Sequence, residues 1–365
     1  MVRVSLHAAE LHYGNGVVLH TASSGSVPHL RELYLHLDDG DVVAVGEVRA
    51  NIAYLNGLSP DEVTAQAVAA IAAVDWTCDP ATLLATMEHW AAALSAPVRT
   101  LIDGALHDLA AKRAGVPLYS WLGAGDVAFA SHGTNQTLFW SPFDVFMARA
   151  KAYVERGFLD LKVRVGVGDF AADLRRIAAL RQRYGDGIKI AADANGQWPP
   201  ESALERMRAL EAYDLAYLEQ PIGAGDWEAI SALAQISPIQ IMLDESVASI
   251  ADVERICSLR GKVWAHLKLV KLGGIAATMN AADSLARAHV PFMIGQMNEG
   301  AAATAAALHV ACASKPAFAE LYGADGLDDD PASGIIYADG QVRCGRQPGL
   351  GVAFDAAKTH LIREF

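Results

Sequence analysis

Charge is scarce in this 365-residue chain and lopsided where it occurs. Only 19% of residues are Asp, Glu, Lys or Arg, and 29 basic side chains face 42 acidic ones, a formal net charge of −13. A field of that sign repels polyphosphate and anionic lipid, which excludes a general nucleic-acid or membrane-surface binder. Cysteine is almost absent: Cys78, Cys257, Cys312 and Cys344 form no C-x-x-C pair and no metal-like spacing with histidine. They read as reduced thiols in a cytoplasmic protein and exclude a disulfide framework. No apolar run approaches the ~18–20 residues that span a bilayer, and the Ala-rich stretch 300–313 is too short. The first ten residues lack the apolar centre of a signal peptide. No glycine pattern following a strand makes a phosphate loop. Small-molecule chemistry remains.

What the chain does have is apolar residues, 52% of the total. At ~100–200 residues per domain, the length predicts two domains, one of them a large barrel. Two alternating runs, Glu32 to Leu37 and Val42 to Val48, flank Asp38-Asp39-Gly40-Asp41 and predict a hairpin. Helical patterns follow at 61–73, 79–94 and 98–114, so this part is α+β. From about residue 126, short apolar runs alternate with amphipathic helices. Candidate strands are 127–131, 159–165, 188–193, 216–219, 239–244, 265–270, 291–297 and 318–321. Eight strands about 25 residues apart predict a modified TIM (β/α) barrel under an α+β capping domain. The expected division is 1–125 cap, 126–325 barrel and 326–365 a segment returning to the cap. A second Asp-Gly hairpin, 334–343, is assigned to that return.

Several strands end in charged residues: Lys162 and Arg164, Asp193 and Asn195, Glu219, Asp244 with Glu245, and Lys268. A barrel gathers the C-terminal strand ends around one mouth. Asp193, Glu219 and Asp244, from successive strands, suit one hard divalent cation, with Mg²⁺ preferring such oxygen ligands. Lys268 follows one strand later and Lys162 with Arg164 one strand earlier. A lysine beside a divalent ion and another cation has a lowered pKa, fit for a general base. The implied reaction removes a proton next to a carboxylate, with the metal stabilising the enediolate.

These residues resemble the enolase superfamily, in its muconate-lactonizing subgroup. The matching stretches are Leu161-Lys162-Val-Arg164-Val-Gly166, Ala192-Asp193-Ala-Asn195-Gly196, Leu218-Glu219-Gln-Pro221, Leu243-Asp244-Glu245-Ser246 and Leu267-Lys268-Leu-Val-Lys271-Leu-Gly-Gly274, with Gln347-Pro-Gly-Leu-Gly-Val352 near the end. The resemblance implies Mg²⁺ on Asp193, Glu219 and Asp244, supported by Asn195 and Glu245. It also implies Lys268 as an acid/base, Lys162 as a partner of the substrate carboxylate, and a homo-oligomer. In this family cap segments confer specificity. The candidates here are Ser24 in the 20–26 loop and Tyr54 in 51–57, joined by Glu299 beyond the seventh strand and Glu320 at the end of the eighth.

Two positions depart from the family pattern. Arg164 replaces the second lysine of the usual Lys-x-Lys pair, and a guanidinium gives up its proton reluctantly. This favours a lyase in which Lys268 works alone and a β-hydroxyl is lost, over a racemase or epimerase. Glu320-Leu-Tyr322 stands where dipeptide epimerases carry Asp-x-Asp, which turns the expectation toward a small amino or imino acid such as a hydroxyproline. The alternative of another class is a non-catalytic barrel that binds a carboxylate ligand. Lys271 has the opposite strand parity from Lys268 and is expected to face a helix. His132 is read as near the mouth, and His309 as packing.

Overall fold

The computed structural model describes residues 2–14, 19–21, 25–125 and 130–365. Three antiparallel strands open the cap: β1 (Arg3–Leu11), β2 (Leu30–Asp38) and β3 (Val43–Arg49). β2 and β3 turn at Asp39–Val42, where Asp39 Oδ1 accepts the amides of Asp41 and Val42 at 3.0 and 2.9 Å. Helix α1 (Pro60–Ala73) begins at a capping box between Ser59 and Glu62. The long helix α2 (Ala96–Arg113) lies across the sheet.

The barrel strands are β4 (Gln136–Leu138), β5 (Asp160–Arg164), β6 (Lys189–Asp193), β7 (Leu218–Glu219), β8 (Ile241–Leu243), β9 (Val263–Lys268), β10 (Phe292–Gly295) and β11 (Phe318–Glu320). They form one parallel eight-stranded sheet in chain order. The ring is drawn together between its ends by Asn135 N to Ala319 O at 3.0 Å and Leu321 N to Thr134 Oγ1 at 2.8 Å. Most connections are helical, among them α3 (Phe143–Glu155), α4 (Phe170–Tyr184), α5 (Pro200–Leu210), α6 (Trp227–Ile236), α7 (Ile250–Ser258), α8 (Ile275–Arg287) and α9 (Ala301–Ser314). A last strand, β12 (His360–Glu364), pairs antiparallel with β1.

Two expectations are corrected. The first barrel strand is 136–138, not 127–131, of which 127–129 lie outside the described residues. It was hidden because its lead-in is polar: Thr134, Asn135, Gln136 and Thr137 are all buried. They are tolerated there because Asn135 Nδ2 donates to Glu320 at 3.1 Å and Gln136 Nε2 to Asp325 at 2.9 Å. The 334–343 hairpin forms around Asp339-Gly340, but it pairs with the short strand Ser131–Gly133 and not with the cap. That places it, with His132, beside the starts of β5, β6 and β11, at the end of the barrel away from the mouth.

The cap is joined to the barrel through buried polar side chains of α2. Thr100 Oγ1 donates to Leu269 O at 3.0 Å, Asp103 Oδ2 accepts the first amide of α8 from Ile275, and Asp108 accepts the amides of Val45 and Leu350 at 2.9 and 2.7 Å. Each bond satisfies a backbone group that burial would otherwise leave unpaired.

Candidate active site

Strand alternation and parallel order bring the charged strand ends together. Lys162 Nζ lies 3.0 Å from Glu219 Oε2 and 3.3 Å from Asp193 Oδ2, and also pairs with Glu320. Arg164 donates to Asp193 and to Asn195. Lys268 Nζ lies 2.8 Å from Asp244 Oδ2. Asn195 leaves β6 in a left-handed conformation, φ 44°, its amide on Asp193 Oδ1 at 2.8 Å and its side chain donating to Glu245 Oε1 at 2.9 Å.

Lys162, Arg164, Asp193, Glu219, Asp244, Lys268 and Glu320 are buried, and Asn195 and Glu245 are half-buried. Their electrostatics are those of carboxylates crowded together: five acids (Asp193, Glu219, Asp244, Glu245, Glu320) face four cations (Lys162, Arg164, Lys268, Lys271). Burial, then the neighbouring Asp193, pushes Glu219 well up. Burial, Asp244, Asp193 and Glu219 push Glu245 up to about 7, and its Oε2 is buried without a partner. Asp244 is held well below the usual range, because Lys268 and Lys271 outweigh its burial.

The donor set fits a divalent cation. Oxygens of Glu219 and Asp244 lie within 4.8 Å of each other, and Asp193 adjoins them across Lys162. Carboxylate oxygens on three consecutive strands suit a hard ion.

A cavity of about 90 Å³ opens above this cluster, lined by Arg164, Asn195, Asp244, Glu245, Lys268 and Glu320 from the barrel and by Val27, Arg49, Tyr54 and Leu55 from the cap. Arg164 belongs to the second strand of the ring and Lys268 to the sixth, so the two cations enter from opposite sides. Asp193, Glu219 and Asp244 span the arc between them.

Other candidates fall elsewhere. Lys162 is fully buried beneath the cavity, held by three carboxylates, so Arg164 is the cation that reaches the open space from β5. Glu299 turns back to accept the amide of Met297 at 3.0 Å and lines a separate inner cavity with Glu47. Ser24 lies outside the described residues. His132 sits at the far end of the barrel, because the strand carrying it precedes β4 instead of forming part of the ring. His309 is packing and bonded: its Nδ1 accepts the amide of Tyr119 and its Nε2 donates to Leu350 O, both at 3.0 Å, with Cys344 Sγ 3.6 Å from Nε2.

Lys271 is not turned away. The chain becomes helical at Leu269–Leu272, which breaks strand parity and brings Lys271 Nζ to 2.5 Å from both Asp244 Oδ1 and Asp244 O. The protein groups also do not lower Lys268. Burial opposes its charge, but Asp244, Glu320 and Glu219 win and raise it. Arg164 is likewise raised, with Asp193 outweighing burial.

Two further residues went unread in the sequence. Gln220, at φ 35°, accepts the amides of Asp244 and Ser246, both at 3.1 Å, and so fixes the turn that aims Asp244. His266, two residues before Lys268 and on the same face, donates through Nδ1 to Glu219 Oε1 at 3.0 Å. The signal for His266 was available in strand parity; that for Gln220 was not, since its role depends on a neighbouring loop.

A family model described as enolase C-terminal domain-like matches residues 145–358. The chain belongs to the enolase superfamily. Within it the match is to the mandelate racemase and muconate lactonizing enzymes, and the protein is an enzyme, an isomerase or a lyase. A D-Ala-D/L-Ala epimerase of Cytophaga hutchinsonii is 32% identical over 262 residues, covering 70% of each chain. A hydrophobic dipeptide epimerase of Enterococcus faecalis is 31% identical over 265 residues, 72% of this chain and 74% of its own. The crystal structure of the Cytophaga hutchinsonii dipeptide epimerase complexed with Mg and D-Ala-L-Val superposes with a TM-score of 0.88 at 26% identity, over 99% of both chains. These relatives support epimerisation better than the dehydration that Arg164 suggested. Among the described residues no helix is long and apolar enough to cross a membrane.

Proposed function

We propose that this superfamily enzyme is a racemase or epimerase acting on an amino- or imino-acid carboxylate. The observation that carries the reading is the placement of Lys268 and Arg164 on opposite sides of one cavity, with the acidic arc between them. Asp193, Glu219 and Asp244 would hold Mg²⁺, whose charge would offset the carboxylates that keep Lys268 protonated and would stabilise an enediolate. Lys268 Nζ takes the α-proton from one face of the substrate. Arg164, on the other face, gives its proton to the enediolate carbon, which completes the inversion and leaves a neutral guanidine that regains a proton from solvent before the next turnover. Glu320, at the cavity wall, pairs with the substrate nitrogen, and Lys162 keeps Glu219, Asp193 and Glu320 in register.

One observation favours a second reading. A guanidinium raised above its already high value parts with its proton reluctantly and is almost never neutral enough to abstract one, so chemistry that needs only Lys268 as base, such as loss of a β-hydroxyl, also suits this site. Incubation in D₂O with Mg²⁺ and a panel of dipeptides, N-acyl amino acids, free amino acids and hydroxyprolines separates the two. Epimerisation gives α-deuterium with inversion; dehydration gives a keto or cyclic imine product. The isomer presenting its α-hydrogen to Lys268 should exchange at least tenfold faster than its mirror partner, and Arg164→Lys should even the rates. Lys268→Ala should abolish exchange in both, and surviving turnover would remove it as the base.

A further inference from the structure

We propose a second metal site, for a transition ion of the zinc type, on the cap surface at Glu10, His12 and His29. Glu10 is the penultimate residue of β1, His12 follows that strand directly, and His29 immediately precedes β2. One ligand atom from each lies within 4.8 Å of those of the other two. His29 Nε2 is 3.6 Å from Glu10 Oε1, and the two imidazole centroids are 5.9 Å apart.

An independent feature prepares His12 for coordination. Its Nδ1 lies 2.7 Å from Asp329 Oδ2, and its backbone amide donates to Asp329 Oδ1 at 2.7 Å. The carboxylate fixes the ring and keeps the proton on Nδ1, so the Nε2 lone pair is free. Such a carboxylate behind a histidine is the usual support of a zinc ligand. Asp329 is itself placed by the pairing of its segment with the end of β1, where Asp328 N donates to His12 O and Gly14 N to Gly326 O.

Two imidazoles and one carboxylate, all solvent-accessible, make a three-ligand set with a position left for water. Nitrogen ligands select Zn²⁺, Co²⁺ or Ni²⁺ over Mg²⁺, which prefers oxygen. Arg31 stands opposite Glu10 in the strand register, but its guanidinium reaches Asp61 at 3.3 Å. Arg31 is thus engaged with Asp61.

His12 and His29 are the two ends of segment 13–28. From that segment Tyr13 bonds Gly323 O and Asn298, and Val27 lines the cavity. An ion held by His12 and His29 would sit next in sequence to Tyr13 and two residues from Val27.

The test is calorimetric titration of Zn²⁺ into the intact protein in excess Mg²⁺, with the visible spectrum of Co²⁺ as a second readout. One equivalent per chain is expected, with tetrahedral or five-coordinate Co²⁺ bands. Binding should be lost in His12→Ala and in His29→Ala, and weakened by about 10–100-fold in Asp329→Asn. It should survive in Asp244→Asn, which alters only the barrel mouth. No saturable binding in excess Mg²⁺, or binding that survives both histidine substitutions, would overturn the site. Loss in Asp244→Asn with the histidine variants unaffected would assign the ion to the barrel.

Discussion

At the scale of single residues, the arrangement around Glu219 shows how the site is held before any ligand arrives. Glu219 is completely buried, and its two oxygens have separate partners, Lys162 on one and His266 on the other. Burial and then Lys268 keep His266 well below its ordinary pKa, so it serves as a neutral donor through Nδ1. Replacing it with leucine would leave one oxygen of a buried carboxylate without a donor. We expect His266→Leu to weaken Mg²⁺ binding by about 10–100-fold, read by calorimetry on the unliganded enzyme. His266→Asn, which retains a donor, should recover part of it. Equal affinity in parent and leucine variant would show that His266 only fills space.

At the scale of elements, the cap sheet and α2 approach more closely than side chains allow. A methyl group at Gly46 in β3 would stand 2.1 Å from Leu101 O and 2.7 Å from Ala105 N, both backbone atoms of α2. Gly104, facing it from the helix, has room: a methyl there meets only Gly46 Cα, at 3.7 Å. The two glycines therefore predict opposite outcomes. Gly46→Ala should force the helix off the sheet at a cost of about 1–3 kcal/mol. Gly104→Ala should be neutral or stabilising by up to about 1 kcal/mol through helix propensity. Urea unfolding of both variants checks this, and equal losses would mean that the contact is not the constraint. Because α2 also carries Thr100, Asp103 and Asp108 into the barrel, the first substitution should raise KM as the cap wall of the cavity shifts.

At the scale of the whole molecule, stability should fall in acid partly through one residue far from the mouth. Burial lowers His309 to about 4, against an ordinary 6.5, while its Nδ1 accepts an amide proton that a charged ring could not accept. Since the folded value lies below the unfolded one, the unfolded chain takes up the proton first. The stability linked to neutral His309 is complete above pH 6.5 and is lost as pH falls toward 4, about 3 kcal/mol in all. His309→Gln cannot titrate. The stability gap between parent and variant should therefore narrow by about that amount from neutral pH to about pH 4, and a constant gap would exclude this origin.

The strand ends Lys162, Arg164, Asp193, Glu219, Asp244 and Lys268 were legible from the chain alone. In a parallel barrel, order and period-two alternation are enough to aim a strand-end side chain at the mouth. The hairpin at Asp39-Gly40 was legible for the same local reason. What needed the tertiary structure was every feature set by contact between segments distant in sequence. Strand β4 and its lead-in are polar, and bonds from Asn135 to Glu320, from Gln136 to Asp325 and from Leu321 to Thr134 permit their burial. Lys271 follows a strand that turns helical one residue after Lys268, so alternation misdirects it. The fully buried Lys162 and the cavity-lining Arg164 share a face and a charge. What separates them is depth in the barrel, which is a property of the packed ring and not of either residue's neighbours along the chain.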